Sequence, residues 1–346
     1  MIEQLEDLSP ASRGRFDAVI DVRTAAEFAL DHLPGAINLP VLDERQRALV
    51  GTIYTRESRF KARRLGAALI ARNIASHLEG ALADKPGSWR PLIYCWRGGQ
   101  RSGAMTTILA EVGWRTGRVA GGYRSWRRRV KAALYDASPP HRLILLEGDT
   151  GSGKTLILRL LAERGAQTLD LEDLAAHRGS LLGALPDRPQ PSQKLFESRL
   201  AERLEALDPA RPTLVEAESS RIGERLIPPG LWRAMDAAPR IELSVPRAAR
   251  ARFVAREYAQ AVSDRGSTHA LLARLPGRHG RSRLGAWMAL FDAGDLASLA
   301  EALMEAHYDP AYHRGRAGRP PPAWRVSLDD PAAPQTAIDE IEEALR

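Results

Sequence analysis

Two glycine-rich loops of the same form stand out in the sequence, each between a short apolar run and a helix. The first is CWRGGQRS, which begins at Cys95 directly after the apolar run at 91–94. The second is GDTGSGKT, which begins at Gly148 after the apolar run at 143–147. A strand that passes through a tight loop into a helix is the repeating unit of parallel α/β sheets. The chain is therefore expected to have an α/β fold, with one such loop in each of two sheets.

The length of the chain predicts two domains, because 346 residues are many for a single core. The boundary falls at 137–141, where two consecutive prolines oppose both helix and central strand. We predict an N-terminal parallel α/β domain at 1–136, a linker at 137–141 and a C-terminal α/β domain at 142–346. A helical extension of the second domain is expected at about 247–307.

Apolar runs and helical periodicity place further elements in both domains. Strands are predicted at 18–22, 36–39, 91–94 and 119–122 in the first domain, and at 143–147, 166–171 and 213–218 in the second. Helices are predicted at 25–30, 101–112, 154–164 and 338–346.

The composition and the N-terminal segment indicate the cellular compartment of the protein. A single cysteine leaves no intramolecular disulfide, which fits a reducing environment. The N-terminal segment MIEQLEDLSP is acidic and polar, unlike a signal peptide, and the apolar runs are much shorter than a membrane span. We therefore expect a cytoplasmic protein without a membrane partner.

The formal net charge is +7, and arginine-rich stretches at 124–131, 247–256 and 278–283 account for the excess. Guanidinium groups match phosphate oxygens, and released counterions add affinity, so the excess fits a polyanionic partner. A solvated basic face would give the same composition, and charge alone leaves the two interpretations even. The candidate contacts are Arg124, Arg127, Arg128, Arg129, Arg247, Arg250, Arg252 and Arg256.

Cys95 is a candidate nucleophile because its place at the start of a helix favours the thiolate. Loop N–H groups and the positive end of the helix stabilise negative charge there, and Arg97 and Arg101 add full charges. The remaining loop residues are Trp96, Gly98, Gly99, Gln100 and Ser102. A lone cysteine is more often buried and inert, but these neighbours favour reactivity. Because Cys-x5-Arg-Ser also occurs in cysteine phosphatases, the loop alone leaves phosphoryl and chalcogen transfer open.

The second loop matches G-x-x-x-x-G-K-[ST] between a strand and a helix, the setting of a phosphate-binding P-loop. Its residues are Gly148, Asp149, Thr150, Gly151, Ser152, Gly153, Lys154 and Thr155. Backbone N–H groups and Lys154 would hold a diphosphate, and Thr155 can reach a magnesium ion. Glu216 and Glu218 are interpreted as a Walker-B-like pair. Since no nucleobase motif follows, the loop predicts a diphosphate without identifying a nucleotide, and no Cys/His cluster has zinc-ligand spacing.

The segment upstream of Cys95 resembles the N-terminal signature of rhodanese domains. The matching stretches are Asp21-Val-Arg23, Glu27-Phe28 and His32-Leu-Pro-Gly-Ala-Ile-Asn-Leu-Pro40. With the cysteine loop, the resemblance covers roughly residues 5–135. Cysteine phosphatases commonly have a histidine directly before the cysteine, where this sequence has Tyr94. The resemblance implies a rhodanese-like domain in which Cys95 carries sulfur or selenium.

The order of a rhodanese-like domain and a P-loop domain resembles bacterial tRNA 2-selenouridine synthases. Further matching stretches lie at 170–180, 190–193, 196–197, 215–223 and 308–312. This pairing of domains is more specific than either loop, and the resemblance spans nearly the whole chain. It implies a rhodanese-like parallel α/β domain followed by a P-loop NTPase-like α/β domain.

The resemblance also implies a reaction: 2-thiouridine at the tRNA wobble position is converted to 2-selenouridine through S-geranyl-2-thiouridine. Geranyl diphosphate would bind the P-loop, and selenophosphate would give its selenium to Cys95. No tightly bound cofactor is expected, and Mg²⁺ is compatible with the P-loop. The implied partners are the tRNAs for Lys, Glu and Gln and a separate enzyme that supplies selenophosphate. The protein itself is expected to be a monomer.

Polar residues of the matched stretches are candidates for the second site, with diphosphate or RNA as the expected ligand. They are His177, Arg178, Ser180, Gln193, Glu216, Glu218 and Arg221. Helix caps and surface charge are the alternative interpretation of the same residues.

Two other functions fit parts of the sequence. An ATP-dependent tRNA sulfurtransferase would use the P-loop to activate the base, although the nucleobase motif is missing. A non-catalytic tRNA-binding scaffold would use both folds without chemistry, although both loops are intact.

Overall fold

The chain divides into two units, each with its own parallel sheet. The computed structural model describes residues 2–179, 183, 185, 187–217, 219–259, 265–273, 275, 279–316 and 318–345. The first unit combines Met1–Ala137 with Pro191–Ala206, and the second combines Ser138–Gln190 with Leu207–Arg346. The polypeptide therefore leaves the first unit, returns to it for one helix and leaves it again.

Five parallel strands form the sheet of the first unit, in the order β1-β5-β4-β2-β3. They are β1 (Glu3–Leu5), β2 (Ala18–Asp21), β3 (Ala36–Asn38), β4 (Pro91–Tyr94) and β5 (Gly117–Val119). The central strand β4 is buried at all four of its residues. Strands covered on both faces form continuous apolar runs, which is why this one is recognisable in the sequence.

Helices cover this sheet and bury its apolar side chains. They are α1 (Pro10–Arg13), α2 (Ala25–Leu30), α3 (Glu44–Arg56), α4 (Arg59–Glu79), α5 (Gln100–Val112) and α6 (Tyr123–Lys131). A π-helical turn at Ala132–Asp136 continues α6. Val22, Ile93, Met105 and Leu109 lie at the centre of the resulting core.

Helices α3 and α4 form a hairpin between β3 and β4 that was not predicted from the sequence. Asp43 and Ser58 cap the amino ends of the two helices with their side chains. The buried face of α4 is a narrow stripe with a spacing of four residues, made of Ala62, Gly66, Ile70 and Ile74. Charged side chains fill most of the other positions, and they conceal this stripe in the sequence.

Helix α9 (Gln193–Glu205) belongs to the first unit, although the sequence assigned all of 142–346 to the second domain. The fully buried Trp126 of α6 donates its indole N–H to Ser198 Oγ at 2.9 Å. Tyr135 donates its hydroxyl to Glu197 at 2.7 Å, and Arg127 pairs with the same carboxylate. The domain to which an amphipathic helix belongs depends on the residues that it packs against. The order and spacing of residues along the chain do not reveal these contacts.

The second unit also has five parallel strands, in the order β12-β11-β6-β8-β7. They are β6 (Arg142–Gly148), β7 (Gln167–Leu169), β8 (Pro212–Glu216), β11 (Arg240–Ser244) and β12 (Trp324–Ser327). A separate antiparallel pair consists of β9 (Arg221–Ile222) and β10 (Arg225–Leu226). Neither β11 nor β12 was predicted, because charged residues interrupt the first and the second is largely exposed.

Helices of the second unit pack on its sheet and extend beyond it. They are α7 (Lys154–Glu163), α8 (Leu171–Ala175), α10 (Pro229–Asp236), α11 (Arg247–Tyr258), α12 (Arg265–Ala273), α13 (Gly280–Asp292), α14 (Leu296–Leu303), α15 (Asp309–Arg316) and α16 (Gln335–Ala344). A π-helical turn at Met304–Tyr308 joins α14 to α15. The predicted fold class is thus confirmed: two parallel α/β domains, with a helical extension on the second.

Among the described helices, none combines the length and hydropathy that crossing a bilayer requires.

Trp126→Ala should destabilise the first unit by about 3–5 kcal/mol, because it removes a fully buried aromatic side chain. Ser198→Ala leaves the indole N–H without its acceptor and should cost only about 1–3 kcal/mol. Hydrogen exchange of the β4 and α5 amides measures both changes. Trp324→Ala, at an exposed aromatic residue of the other unit, is the matched control and should leave this exchange unchanged. Unchanged exchange in Trp126→Ala would contradict the placement of α9 in the first unit.

Candidate active sites

Cys95 lies directly after the central strand β4, where the chain turns through a short loop into α5. Ligands of open α/β sheets bind beyond the carboxyl ends of the strands, so this position is suited to a reactive group. The Cys95 side chain is only 3% exposed. Gly98 has a φ of 66°, which lets the loop curl back toward the sheet.

Gly122 is the residue against which the cysteine loop closes. Its φ is 62°, and a Cβ atom there would overlap the Cys95 carbonyl oxygen and the Gly98 nitrogen. The next residue, Tyr123, donates its backbone N–H to the Cys95 carbonyl at 2.8 Å. Gly122 was not among the predicted site residues, although the pair Gly121-Gly122 directly after β5 was a usable signal. The shape of the loop therefore depends on a glycine outside it.

The pKa of the Cys95 thiol is lowered from its usual value even though burial acts in the opposite direction. Burial raises this pKa, but hydrogen bonds from the Ser102 hydroxyl and backbone, with the charge of Arg101, outweigh it. The Cys95 sulfur lies 3.2 Å from Ser102 Oγ. Because the thiolate is the nucleophilic form, these contacts favour a reactive cysteine over an inert one.

The two predicted arginines of the cysteine loop differ in their surroundings. Arg101 is mostly buried and binds the Glu27 carboxylate at 2.9 Å. Burial raises the pKa of Glu27, but its hydrogen bond with Arg101 outweighs this, so the pKa is lowered and the pair stays charged. Arg97 is exposed at the rim, beside Trp96, whose ring contacts that of Tyr123 at a centroid distance of 5.1 Å. An anion near Cys95 would therefore meet Arg97 from the solvent side.

The P-loop of the second unit connects β6 to α7, as the sequence predicts. Gly151 and Gly153 have φ values of 82° and 79°, which glycine adopts without strain. The Lys154 ammonium donates to the Gly148 carbonyl at 3.1 Å and lies 5.7 Å from the ring centroid of Tyr312. The amino end of α7 thus presents backbone N–H groups and a lysine to one anion.

Thr155 Oγ1 and the Glu216 carboxylate lie 2.6 Å apart at the carboxyl end of β8. Their oxygen atoms fit Mg²⁺, which prefers oxygen ligands and keeps several waters. Within the described ranges, no group of three or more His, Cys, Asp or Glu side chains could hold a metal ion. A magnesium ion bound here would therefore take most of its ligands from a diphosphate and from water.

A cavity of about 680 Å³ in the second unit begins at the P-loop and has two chemically different walls. The polar wall contains the loop residues Thr150 to Thr155, with Asp170 and Glu216. An apolar wall adjoins it and comes from α11, α14 and the π-helical turn, with Val254 and Met304 directly beside Gly151. Its main members are Phe253, Val254, Leu296, Leu299, Leu303 and Met304. The cavity is thus suited to a ligand with an anionic head and a hydrocarbon tail.

Arg250 of α11 connects the P-loop to the helical extension. It is 4% exposed and forms an ion pair with Asp309, at the start of α15, at 2.9 Å. The same guanidinium donates to the Thr150 carbonyl at 2.9 Å. The prediction that Arg250 contacts a polyanion is therefore wrong, because a buried, paired guanidinium cannot reach one; it holds the two walls of the cavity together instead.

Most of the other predicted arginines are paired as well. Arg127 and Arg129 bind Glu197 and Glu205 within the first unit. Arg247 and Arg256 pair with Asp309 and Asp330 within the second. Among the eight predicted arginines, those that are exposed and have no carboxylate partner in the described structure are Arg124, Arg128 and Arg252. The structure therefore leaves three of the eight candidates available for a polyanion.

The structure brings only some of the second-site candidates to the cavity. Arg178 lines it, stacks over Tyr258 at 5.0 Å and donates to the Glu257 carbonyl at 3.1 Å. His177 is half-buried and accepts the Gly179 N–H, and burial lowers its pKa.

The remaining second-site candidates lie elsewhere or cannot be placed. Arg221 is in the β9–β10 pair, where its side chain donates to the Gly223 carbonyl. Gln193 belongs to α9 in the first unit and contacts Glu197. None of His177, Arg221 and Gln193 lines the cavity of the second unit. Ser180 and Glu218 lie outside the described residues.

Asp170 and the apolar wall of the cavity were not predicted as site residues. Asp170 follows β7, lines the cavity and caps α8, and burial raises its pKa. An acid directly after a strand was a usable signal for it. The apolar wall had no comparable signal, because its side chains come from separate helices that only the tertiary fold brings together.

Both halves of the chain match known families. Residues 2–129 match the rhodanese-like domain family. Residues 141–273 match the family described as the tRNA 2-selenouridine synthase AAA domain.

Curated relatives named tRNA 2-selenouridine synthase align with much of the chain. The relative from Cupriavidus necator is 34% identical over 329 residues, which cover 85% of this chain and 87% of that protein. The relatives from Nitrosomonas europaea and Aeromonas salmonicida are 34% and 37% identical, each over 69% of this chain. These last two matches span 63% and 64% of the relatives' length, slightly less than two thirds. The pairing of a rhodanese-like unit with this AAA domain, at such identity, means that the chain belongs to the tRNA 2-selenouridine synthase family.

Proposed function

We propose that this protein is a transferase that converts 2-thiouridine in tRNA to 2-selenouridine in two steps. The first step attaches a geranyl group to the base sulfur, and the second replaces the geranylated sulfur with selenium. The names of the family members support the overall reaction. The observation that carries the two-step proposal is the cavity of the second unit, in which an apolar wall adjoins the P-loop.

In the first step, the sulfur of 2-thiouridine attacks C1 of geranyl diphosphate. A C–S bond forms, the C–O bond to the diphosphate breaks, and diphosphate leaves with the electron pair. The P-loop N–H groups and Lys154 would stabilise the negative charge that develops on this leaving group. Thr155 and Glu216 would orient a magnesium ion if one accompanies the diphosphate.

The apolar wall favours geranyl diphosphate over ATP as the P-loop ligand. A ten-carbon isoprenoid tail gains from burial against Phe253, Leu299 and Leu303, roughly 0.8 kcal/mol for each buried CH₂. A ribose or adenine placed against these three side chains would find no hydrogen-bonding partner on them, so this part of the cavity suits the isoprenoid better.

In the second step, Cys95 is the proposed nucleophile that releases selenium from selenophosphate. Its thiolate attacks phosphorus while Arg97 and the loop N–H groups hold the phosphoryl oxygens, so a P–S bond forms and the P–Se bond breaks with its electron pair on selenium. The selenide then attacks C2 and expels the geranyl thiolate, and water cleaves the P–S bond to give phosphate and restore Cys95. Selenium carried on Cys95 through an S–Se bond would need a two-electron oxidant, which none of the substrates supplies. Over the whole exchange the C2–S bond is replaced by C2–Se, and the P–Se bond by a P–O bond from water. The net reaction therefore needs no oxidant or reductant.

The proposal defines the partners. The substrates are tRNA, geranyl diphosphate and selenophosphate, and a separate enzyme supplies the last of these. By resemblance to the family, the tRNAs are those for Lys, Glu and Gln, and the reaction takes place in the cytoplasm on a monomeric protein. No tightly bound cofactor is needed for either step.

Cys95→Ala should retain geranylation and lose selenium incorporation, whereas Lys154→Ala should slow geranylation by roughly 10²–10³-fold, because it removes charge from the leaving-group site. Mass spectrometry of nucleosides from digested tRNA separates the two products. The control for Lys154→Ala is selenium incorporation into tRNA that already carries S-geranyl-2-thiouridine, which should proceed normally. Loss of both steps in both variants would refute the assignment of geranylation to the P-loop and of selenium transfer to Cys95. ATP hydrolysis on addition of tRNA, without any use of geranyl diphosphate, would refute the proposed function.

Phe253→Ala should raise the KM for geranyl diphosphate about tenfold, or ~1.4 kcal/mol, because it removes apolar surface from the tail site. Inhibition by inorganic diphosphate should be unchanged, since that ligand contacts only the P-loop wall. Trp324→Ala, at an exposed aromatic residue of the same unit, is the matched control and should change neither constant. An equal loss of affinity for both ligands would mean that Phe253 supports the P-loop and does not bind the tail.

Ser102→Ala should move the midpoint of Cys95 alkylation by iodoacetamide to higher pH, because Ser102 stabilises the thiolate. Below this midpoint the thiol predominates, so the variant should react more slowly than the parent near neutral pH. The chain has one cysteine, so the total thioether yield reports Cys95 alone. Ser76→Ala on α4 is the matched control. An unchanged midpoint in Ser102→Ala would contradict the role of this hydroxyl.

A further inference from the structure

The α3–α4 hairpin of the first unit carries a concentration of cations that no predicted site uses. Residues 43–79 contain eight exposed basic side chains: Arg45, Arg47, Arg56, Arg59, Lys61, Arg63, Arg64 and Arg72. The same segment has four carboxylates: Asp43, Glu44, Glu57 and Glu79. The imbalance is greatest at the tip, where 56–64 holds five of the cations and one carboxylate. The hairpin is therefore a strongly positive projection of this unit.

These cations differ from most of the predicted arginines in their pairing. In α6 and α11, Arg127, Arg129 and Arg250 bind carboxylates of their own unit. None of the eight hairpin cations forms an ion pair with a carboxylate in the described structure. Binding of an external anion to these side chains would therefore break no existing ion pair. No internal ion pair offsets their positive charge.

Two aromatic side chains are exposed among the cations. Phe60 is 72% exposed, and Tyr54 is exposed beneath the Arg59 guanidinium at 5.7 Å. Exposed aromatic rings between arginines are a typical surface for single-stranded nucleic acid, because bases stack on the rings while the phosphates meet the cations.

A surface depression lies along α3, between the hairpin tip and the start of α2. It measures about 550 Å³ and is lined by Thr24, Glu27, Glu44, Arg47 and Arg56 among others. Glu27 at one end of it binds Arg101 of the cysteine loop at 2.9 Å. The depression and the cysteine loop therefore share one ion pair, and Arg47 and Arg56 are the cations that an anionic chain would meet along it.

We propose that the α3–α4 hairpin binds the RNA backbone next to the base that reacts at Cys95. Phosphates would lie on the tip cations Arg59, Lys61, Arg63 and Arg64, and an unpaired base would stack on Phe60. The proposal rests on the proposed function only in taking tRNA as the RNA. An acidic protein segment is the other partner that charge alone would allow, but the exposed rings of Phe60 and Tyr54 favour RNA.

The test compares the quadruple variant R59A/K61A/R63A/R64A with the parent in fluorescence anisotropy, using a labelled anticodon stem-loop RNA. At about 0.1 M salt, affinity should fall roughly tenfold to a hundredfold, and the slope of log K against log salt should fall by about 3, since four phosphate contacts are removed. Phe60→Ala should weaken binding without changing the slope, because stacking releases no counterions.

The matched control removes four exposed arginines outside the hairpin that also have no carboxylate partner in the described structure, R115A/R142A/R211A/R233A, and should leave the slope within about 1 of the parent. Unchanged alkylation of Cys95 by iodoacetamide checks that each variant remains folded. If parent and quadruple variant bind the RNA equally, the hairpin proposal is wrong and the proposed function stands. If the parent binds no RNA, the proposed function itself fails. If the quadruple variant keeps RNA binding and loses binding of a polyglutamate peptide, the partner is an acidic protein and the RNA proposal is overturned.

Discussion

Both sites depend on stabilising an anion in a place where burial would otherwise disfavour it. At Cys95 burial raises the thiol pKa, and hydrogen bonds from Ser102 with the charge of Arg101 reverse the effect. At the P-loop, the amino end of α7 and Lys154 serve the same purpose for a phosphate group. This environment arises where a parallel strand ends beside the N-terminus of a helix. The topology of each sheet therefore determines where its anion site lies.

The proposed ligand of the second unit makes a demand that the anion site alone does not meet. A prenyl diphosphate would need a phosphate-binding loop and a hydrocarbon surface held in a fixed relation to each other. The buried Arg250 supplies such a link, because it binds Asp309 of the helical extension and the Thr150 carbonyl of the P-loop at the same time. Breaking one half of such a buried pair leaves an uncompensated charge, so the two walls of the cavity are expected to hold their separation.

The sequence predicted those features that are local along the chain. The loops at Cys95 and Gly148, their flanking strands and the alternating fold were all recognisable, because a few adjacent residues determine them. Features made by contacts between distant segments were not. Gly122 supports the cysteine loop from beyond β5, and Phe253 meets the P-loop only through the packing of α11. Arg250 shows the reverse error: an arginine within a basic run was interpreted as a surface contact, and its buried partner Asp309 lies 59 residues away.

The return of α9 to the first unit has a consequence for synthesis. Trp126 and Arg127 find their partners at Ser198 and Glu197, which are translated only after the P-loop strand and helix. Domains generally fold in order from the N-terminus as they emerge from the ribosome. Here one side of α6 stays uncovered until residues 138–190 of the second unit and then α9 have been synthesised. A cut in the chain between 137 and 191 would therefore separate the first unit from α9, the helix that covers Trp126.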